Sequence, residues 1–146
     1  MIIQFLASLL LPFLGYSLGL RAKKPVIVAD AIQIDSDNTY IYLNNIGEST
    51  AVNIQIGQAL LDMSGVSVSD PFHNWKISFV FEKAAYIEPQ KPKKVSVTTL
   101  INGKEKSDGA RRLFSHALKR FKYLEVTYSD NFGTTYKSKL TDIPIK

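Results

Sequence analysis

The sequence predicts a mainly β protein: a sandwich of seven strands with one short amphipathic helix, preceded by a single transmembrane helix. Three observations carry this. Short runs rich in β-branched and aromatic residues alternate apolar with polar positions. Clusters of Gly, Asn, Asp, Pro and Ser separate those runs and supply turn chemistry. The first twenty residues break the pattern, because residues 2–20 (IIQFLASLLLPFLGYSLGL) contain no Asp, Glu, Lys, Arg or His.

The expected strands run over 26–34, 40–45, 51–56, 75–81, 95–101, 123–128 and 134–140. In the third, Val52, Ile54 and Ile56 share one parity and should face the core. In the fourth, Trp75, Ile77, Phe79 and Phe81 do the same. Residues 63–74 read as a long connection with room for a short edge strand at 66–68. The segment 88–94 (EPQKPKK) cannot be a central strand, since each proline lacks the donor a ladder needs. Asn102, Gly103 and Lys104 form a turn, and Ser129-Asp-Asn-Phe-Gly133 suits a tight hairpin with a positive φ. Between them, Leu113, Phe114, Ala117, Leu118 and Phe121 fall on one helical stripe, with Ser107 or Asp108 as N-cap. No internal repeat of fixed period is visible.

As a helix, residues 2–20 would extend about 28 Å, close to the thickness of a bilayer's hydrocarbon core. A secretory signal would place a cationic region ahead of a shorter apolar stretch, and no cationic side chain precedes this one. Arg21, Lys23 and Lys24 follow it directly. Cations flanking a span stay cytoplasmic, so the expected topology has Met1 outside and the domain inside. Pro12 interrupts the helical ladder at a depth where neighbouring groups re-satisfy the freed carbonyl. Gly15 and Gly19 form a small-xxx-small face on which a second helix could pack. The expected organisation is an anchor over 1–20, a basic juxtamembrane linker over 21–25 and a single domain over 26–146. A cleaved signal, with a periplasmic adhesion-type domain, is one alternative placement, and a buried helix of a soluble protein is the other.

The composition is that of a globular domain, with 45% hydrophobic and 21% charged residues, so a core can form without cross-links. Cysteine is absent, which excludes disulfides, thiolate metal sites and a cysteine nucleophile. The formal charge is +5, and it is concentrated. Between residues 91 and 122, ten cations stand against Glu105 and Asp108. Lys91, Lys93, Lys94, Arg111, Arg112, Lys119, Arg120 and Lys122 are the candidate surface for an anionic partner. Anionic lipid headgroups fit this charge. Nucleic acid fits less well, because Phe114, Phe121 and Tyr123 sit where a core-facing stripe predicts them and leave no stacking platform.

No constellation carries chemistry. His73, read as an exposed loop residue, and His116, on the polar face of the helix, lie too far apart to form a zinc-ligand spacing. Asp35 and Asp37 read as a turn, since the other positions of a calcium loop are missing. No nucleophile elbow, phosphate loop or dinucleotide glycine signature occurs. Tyr128 and Asp130 read as hairpin capping and edge packing. No catalytic residue, cofactor, metal or small-molecule substrate is expected.

Two stretches resemble a known family. YLNNIGESTAVNIQI, with Asn45, Gly47, Ala51, Asn53 and Ile54, resembles the strand-turn-strand of bacterial immunoglobulin-like domains of the CARDB kind. VTYSDNFGTTYKS, residues 126–138, is similar to the closing hairpin of small membrane-anchored bacterial proteins that carry such a domain after one span. The resemblance implies an immunoglobulin-like sandwich at a bacterial inner membrane and no chemistry. The paired cysteines of antibody domains are absent, and the single tryptophan stands on the fourth expected strand. The functional expectation is a non-catalytic accessory or assembly subunit whose partners are membrane-embedded proteins. The alternative is an anchored module for anionic lipid or a charged ligand.

Overall fold

The structure is a computed structural model that describes residues 23–35, 38–65, 67–69, 73–105 and 120–146. The span 1–20 with Gly15 and Gly19, Arg21, His116, and most of the helix expected over 107–121 with Arg111, Arg112 and Lys119 lie outside the described residues.

Ten strands occur among the described residues: β1 Ile27–Ile34, β2 Thr39–Asn45, β3 Ala51–Ile56, β4 Ala59–Asp62, β5 Lys76–Phe81, β6 Ala84–Ile87, β7 Lys93–Ile101, β8 Lys104–Glu105, β9 Leu124–Ser129 and β10 Thr135–Leu140. They form two antiparallel sheets. One has the order β1-β2-β7-β5-β4, with β8 paired to β7, and the other has the order β10-β9-β3-β6. The inward residues of both sheets, among them Ile32, Ile41, Ile54, Phe79, Ile87 and Val126, belong to one hydrophobic core. Alternation produces this directly: β7 buries Val95, Val97, Thr99 and Ile101 and turns Ser96 outward, as a period of two requires.

All seven expected strands are present, and β4, β6 and β8 are additional. The chain leaves β3 through Gly57 and Gln58, with the Gly57 N–H donating to the Glu125 carbonyl at 2.9 Å, and resumes as β4 in the other sheet. The edge strand expected at 66–68 is not found at the described positions: Ser67 and Val68 lie outside any strand. His73 is half-buried rather than exposed. The segment 88–94 divides. Its prolines stay outside the strands, but Lys93 and Lys94 open β7, a central strand, opposite Leu43 and Tyr42.

Two bulges interrupt the strands, and the one in β3 alters an expected face. In β3, Val52 pairs with Ser129 but Gln55 pairs with Thr127, so one extra residue is accommodated at Asn53, whose φ is 53°. A bulge reverses parity. Ile54 and Ile56 reach the core as expected, but Ala51 takes the place expected of Val52, which is only half-buried. In β1 the register shifts between Ala29 and Ala31, so Ile27 faces the core before the bulge and Ile32 and Ile34 after it.

Candidate functional site

The strand registers sort the connections to two ends. Ile27 pairs with Asn45, Leu43 with Lys93, Ala51 with Ile87 and Val52 with Ser129. The start of β1, the β2–β3 turn, the β6–β7 connection and the β9–β10 hairpin therefore share one end, here termed proximal because the chain arrives there from residue 22. At the opposite, distal end lie the Asn102-Gly103 turn and the approach to β9. Asn102 and Gly103 both have positive φ, 49° and 78°, as a two-residue hairpin requires.

Asn45 organises the proximal end. It is fully buried, and its side chain makes four hydrogen bonds. Its Oδ1 accepts from the Val26 N–H at 3.1 Å and the Gly47 N–H at 3.0 Å. Its Nδ2 donates to the carbonyls of Ser49 at 2.8 Å and Ile87 at 3.0 Å. One amide thus ties the incoming chain, the β2–β3 turn and a strand of the other sheet together. Gly47 completes the clamp: a Cβ there would stand 2.3 Å from the Lys24 carbonyl oxygen and 2.5 Å from the Val26 nitrogen. Only glycine lets the two backbones approach so closely.

The segment expected to be a linker is consequently fastened to the domain. Pro25 is buried, and the Glu48 N–H donates to the Lys24 carbonyl at 3.1 Å. The Ser49 hydroxyl donates to the Lys23 carbonyl at 3.1 Å, and the Lys23 ammonium lies 3.7 Å from Glu48.

The hairpin beside this clamp is held by Asp130, which is buried. Its Oδ1 accepts from the Phe132 and Thr134 N–H groups, each at 2.9 Å, and its Oδ2 from the Tyr136 hydroxyl at 2.8 Å. Burial by itself would raise the carboxyl, but donation from the Thr134 backbone, the Tyr136 hydroxyl and the Phe132 backbone holds it below the ordinary carboxylate value. Its partner is shifted the other way, since the bond to Asp130 raises the Tyr136 hydroxyl. Tyr128 stacks on Tyr136 with ring centroids 5.7 Å apart. Each group has its partner inside the hairpin, so the cluster is a cap.

The candidate cations are divided between the ends. Lys91, Lys93 and Lys94 lie proximally, on the same end as Lys23 and Lys24. Lys91 pairs with Glu88, and the Lys94 ammonium sits 3.6 Å above the centre of the Tyr40 ring. Among the described residues neither Lys24 nor Lys93 has a carboxylate partner. Arg120 and Lys122 approach β9 distally, where Arg120 donates to the Met63 sulfur at 3.8 Å. Residues 91–122 therefore do not present their described charges on a single surface. The sequence offered no sign of this division, because fifty positions separate Leu43 from its partner Lys93. It also gave no role to Ile46 and Phe132, large side chains 51% and 54% exposed at the tips of two proximal turns.

A groove of about 600 Å³ runs beside β1, lined by Asp30, Gln33, Tyr42, Pro92 and Lys146 among others. Three of its polar side chains serve one another: Tyr42 donates to Gln33 at 2.9 Å, and Gln33 donates to Asp35 at 3.2 Å. Among the described residues no group of three or more His, Asp or Glu side chains could hold a metal ion, and no helix is long and apolar enough to cross a membrane.

These features define a mainly β domain of two antiparallel sheets whose proximal end carries the Asn45 and Asp130 networks. In comparisons with known proteins, the chain matches no family model, no curated protein and no solved structure.

Proposed function

We propose that the protein is a non-catalytic accessory or assembly subunit of a membrane complex, anchored by residues 2–20, with an immunoglobulin-like sandwich held at the cytoplasmic face of a bacterial inner membrane. The observation that carries this reading is the Asn45–Gly47 clamp on residues 23–26. A module that searches for soluble ligands is served by a loose tether. A subunit that meets other spans in one pose is served by a rigid junction, because less orientational freedom is lost on docking. The clamp supplies such a junction immediately after the apolar segment. Gly15 and Gly19 offer the face on which a partner span packs. Full-length protein extracted in mild detergent should migrate in blue-native electrophoresis as part of a larger complex, and migration only as a free monomer would refute the assembly role.

A further inference from the structure

We propose that the proximal end of the domain is a membrane-docking face, with Ile46 and Phe132 at the boundary between headgroups and acyl chains and Lys24 and Lys93 on anionic lipid phosphates. The inference rests on reading residues 2–20 as a span. Three observations converge on it.

The first is shape and polarity. The β2–β3 turn and the β9–β10 hairpin each present one large apolar side chain at the tip, Ile46 and Phe132, and both tips are braced, one by Asn45 and the other by Asp130. Exposed apolar side chains and cations at one end are the arrangement that interfacial segments use, the apolar groups entering the boundary and the cations remaining among the headgroups. The second is charge. Lys24 and Lys93 carry no internal counter-charge among the described residues, and the cytoplasmic leaflet carries the anionic lipids that would supply it. The third is chain length. Only Arg21 and Ala22 separate Leu20 from Lys23, and at about 3.5 Å per residue the clamped end lies within roughly 10 Å of the last residue of the span. The domain cannot hang free below the bilayer. The distal end carries Arg120, Lys122 and the Asn102-Gly103 turn and faces away.

The absence of cysteine makes single-cysteine labelling clean. Full-length protein with Ile46→Cys, Phe132→Cys or Asn131→Cys is labelled with an environment-sensitive fluorophore and reconstituted into phosphatidylcholine vesicles with and without phosphatidylglycerol. Lys104→Cys serves as the distal control, and alkaline carbonate extraction is run in parallel. Nitroxide-bearing lipids should quench the proximal labels severalfold more than the distal one, and more so with phosphatidylglycerol. Lys24→Glu with Lys93→Glu should remove at least half of that difference in anionic vesicles and leave carbonate resistance unchanged.

Proximal labels quenched no more than the distal label, in protein that resists carbonate, would overturn the docking face while leaving the anchor intact. Protein that carbonate extracts but whose proximal labels are still quenched would retain the docking face and refute the anchor; extraction without quenching would refute both. Proximal labels exposed to water in pure lipid but shielded in native membranes would assign the end to a protein partner and overturn the proposal.

Discussion

Replacing Asn45 with alanine removes four hydrogen bonds at once. Two N–H donors, on Val26 and Gly47, and two carbonyls, on Ser49 and Ile87, lose their partner. Each ordinary hydrogen bond contributes about 1 kcal/mol net, and a buried group left unpaired costs about 1–3 kcal/mol. The Ile87 carbonyl is the deepest, since its bond to Asn45 is buried, whereas water can reach part of the remainder. Together these give a loss of about 3–5 kcal/mol, a large fraction of the roughly 5–15 kcal/mol by which a domain is stable. Urea denaturation of the full-length protein in mild detergent, followed through Trp75, should show a lower midpoint at unchanged slope. Hydrogen exchange should show faster opening at Val26 and Gly47 than at core amides such as that of Phe79. Asn45→Asp should be no better tolerated, because it places a carboxylate oxygen against two carbonyls. A loss below about 1 kcal/mol in Asn45→Ala would mean that the clamp does not hold the proximal end.

Three further outcomes follow from the same geometry. Gly47→Ala introduces a Cβ that meets backbone atoms at 2.3 and 2.5 Å, and should cost about 1–3 kcal/mol and open the amides of residues 24–26 to exchange. The lowered Asp130 carboxyl contributes stability that is present above the ordinary value of 3.8 and is lost as pH falls below it; acid titration should therefore show the stability difference between wild type and Asp130→Asn to be greatest above that value and to shrink beneath it. Thr99 is buried, and its hydroxyl finds no partner among the described residues, so the near-isosteric Thr99→Val should raise stability by about 1 kcal/mol in thermal or urea melts.

Much of this fold was legible in the sequence, and for physical reasons. Seven strands announce themselves through alternation, and Asn102-Gly103 and Asp130 through Gly133 through turn chemistry that only a few residues satisfy. The strands that escaped are short: β4 and β6 have four residues each and β8 two, too few for a period to register. The bulges at Asn53 and after Ala29 escaped because nothing local marks an extra residue in one strand; the ladder with the neighbouring strand creates it. Asn45 and Gly47 stood out as a motif, but their work depends on Ile87 and on Lys24 to Val26, groups distant in sequence. The cationic run read as one surface because sequence proximity was taken for spatial proximity. Pairing of β7 with β2 and β5 carries its beginning and its end to opposite poles of the sheet.

In the proposed pose, the junction at residues 23–26 holds the domain upright with its proximal end against the bilayer. Nine residues of β7 at about 3.3 Å each set the distal end roughly 30 Å from the proximal one. Energy transfer from a donor at Lys104→Cys in the reconstituted full-length protein to an acceptor confined to the bilayer surface measures that height. The distribution should be narrow and centred at about 30 Å, and Gly47→Ala should broaden it. A broad distribution in the wild-type chain, or a donor lying close to the surface, would contradict it.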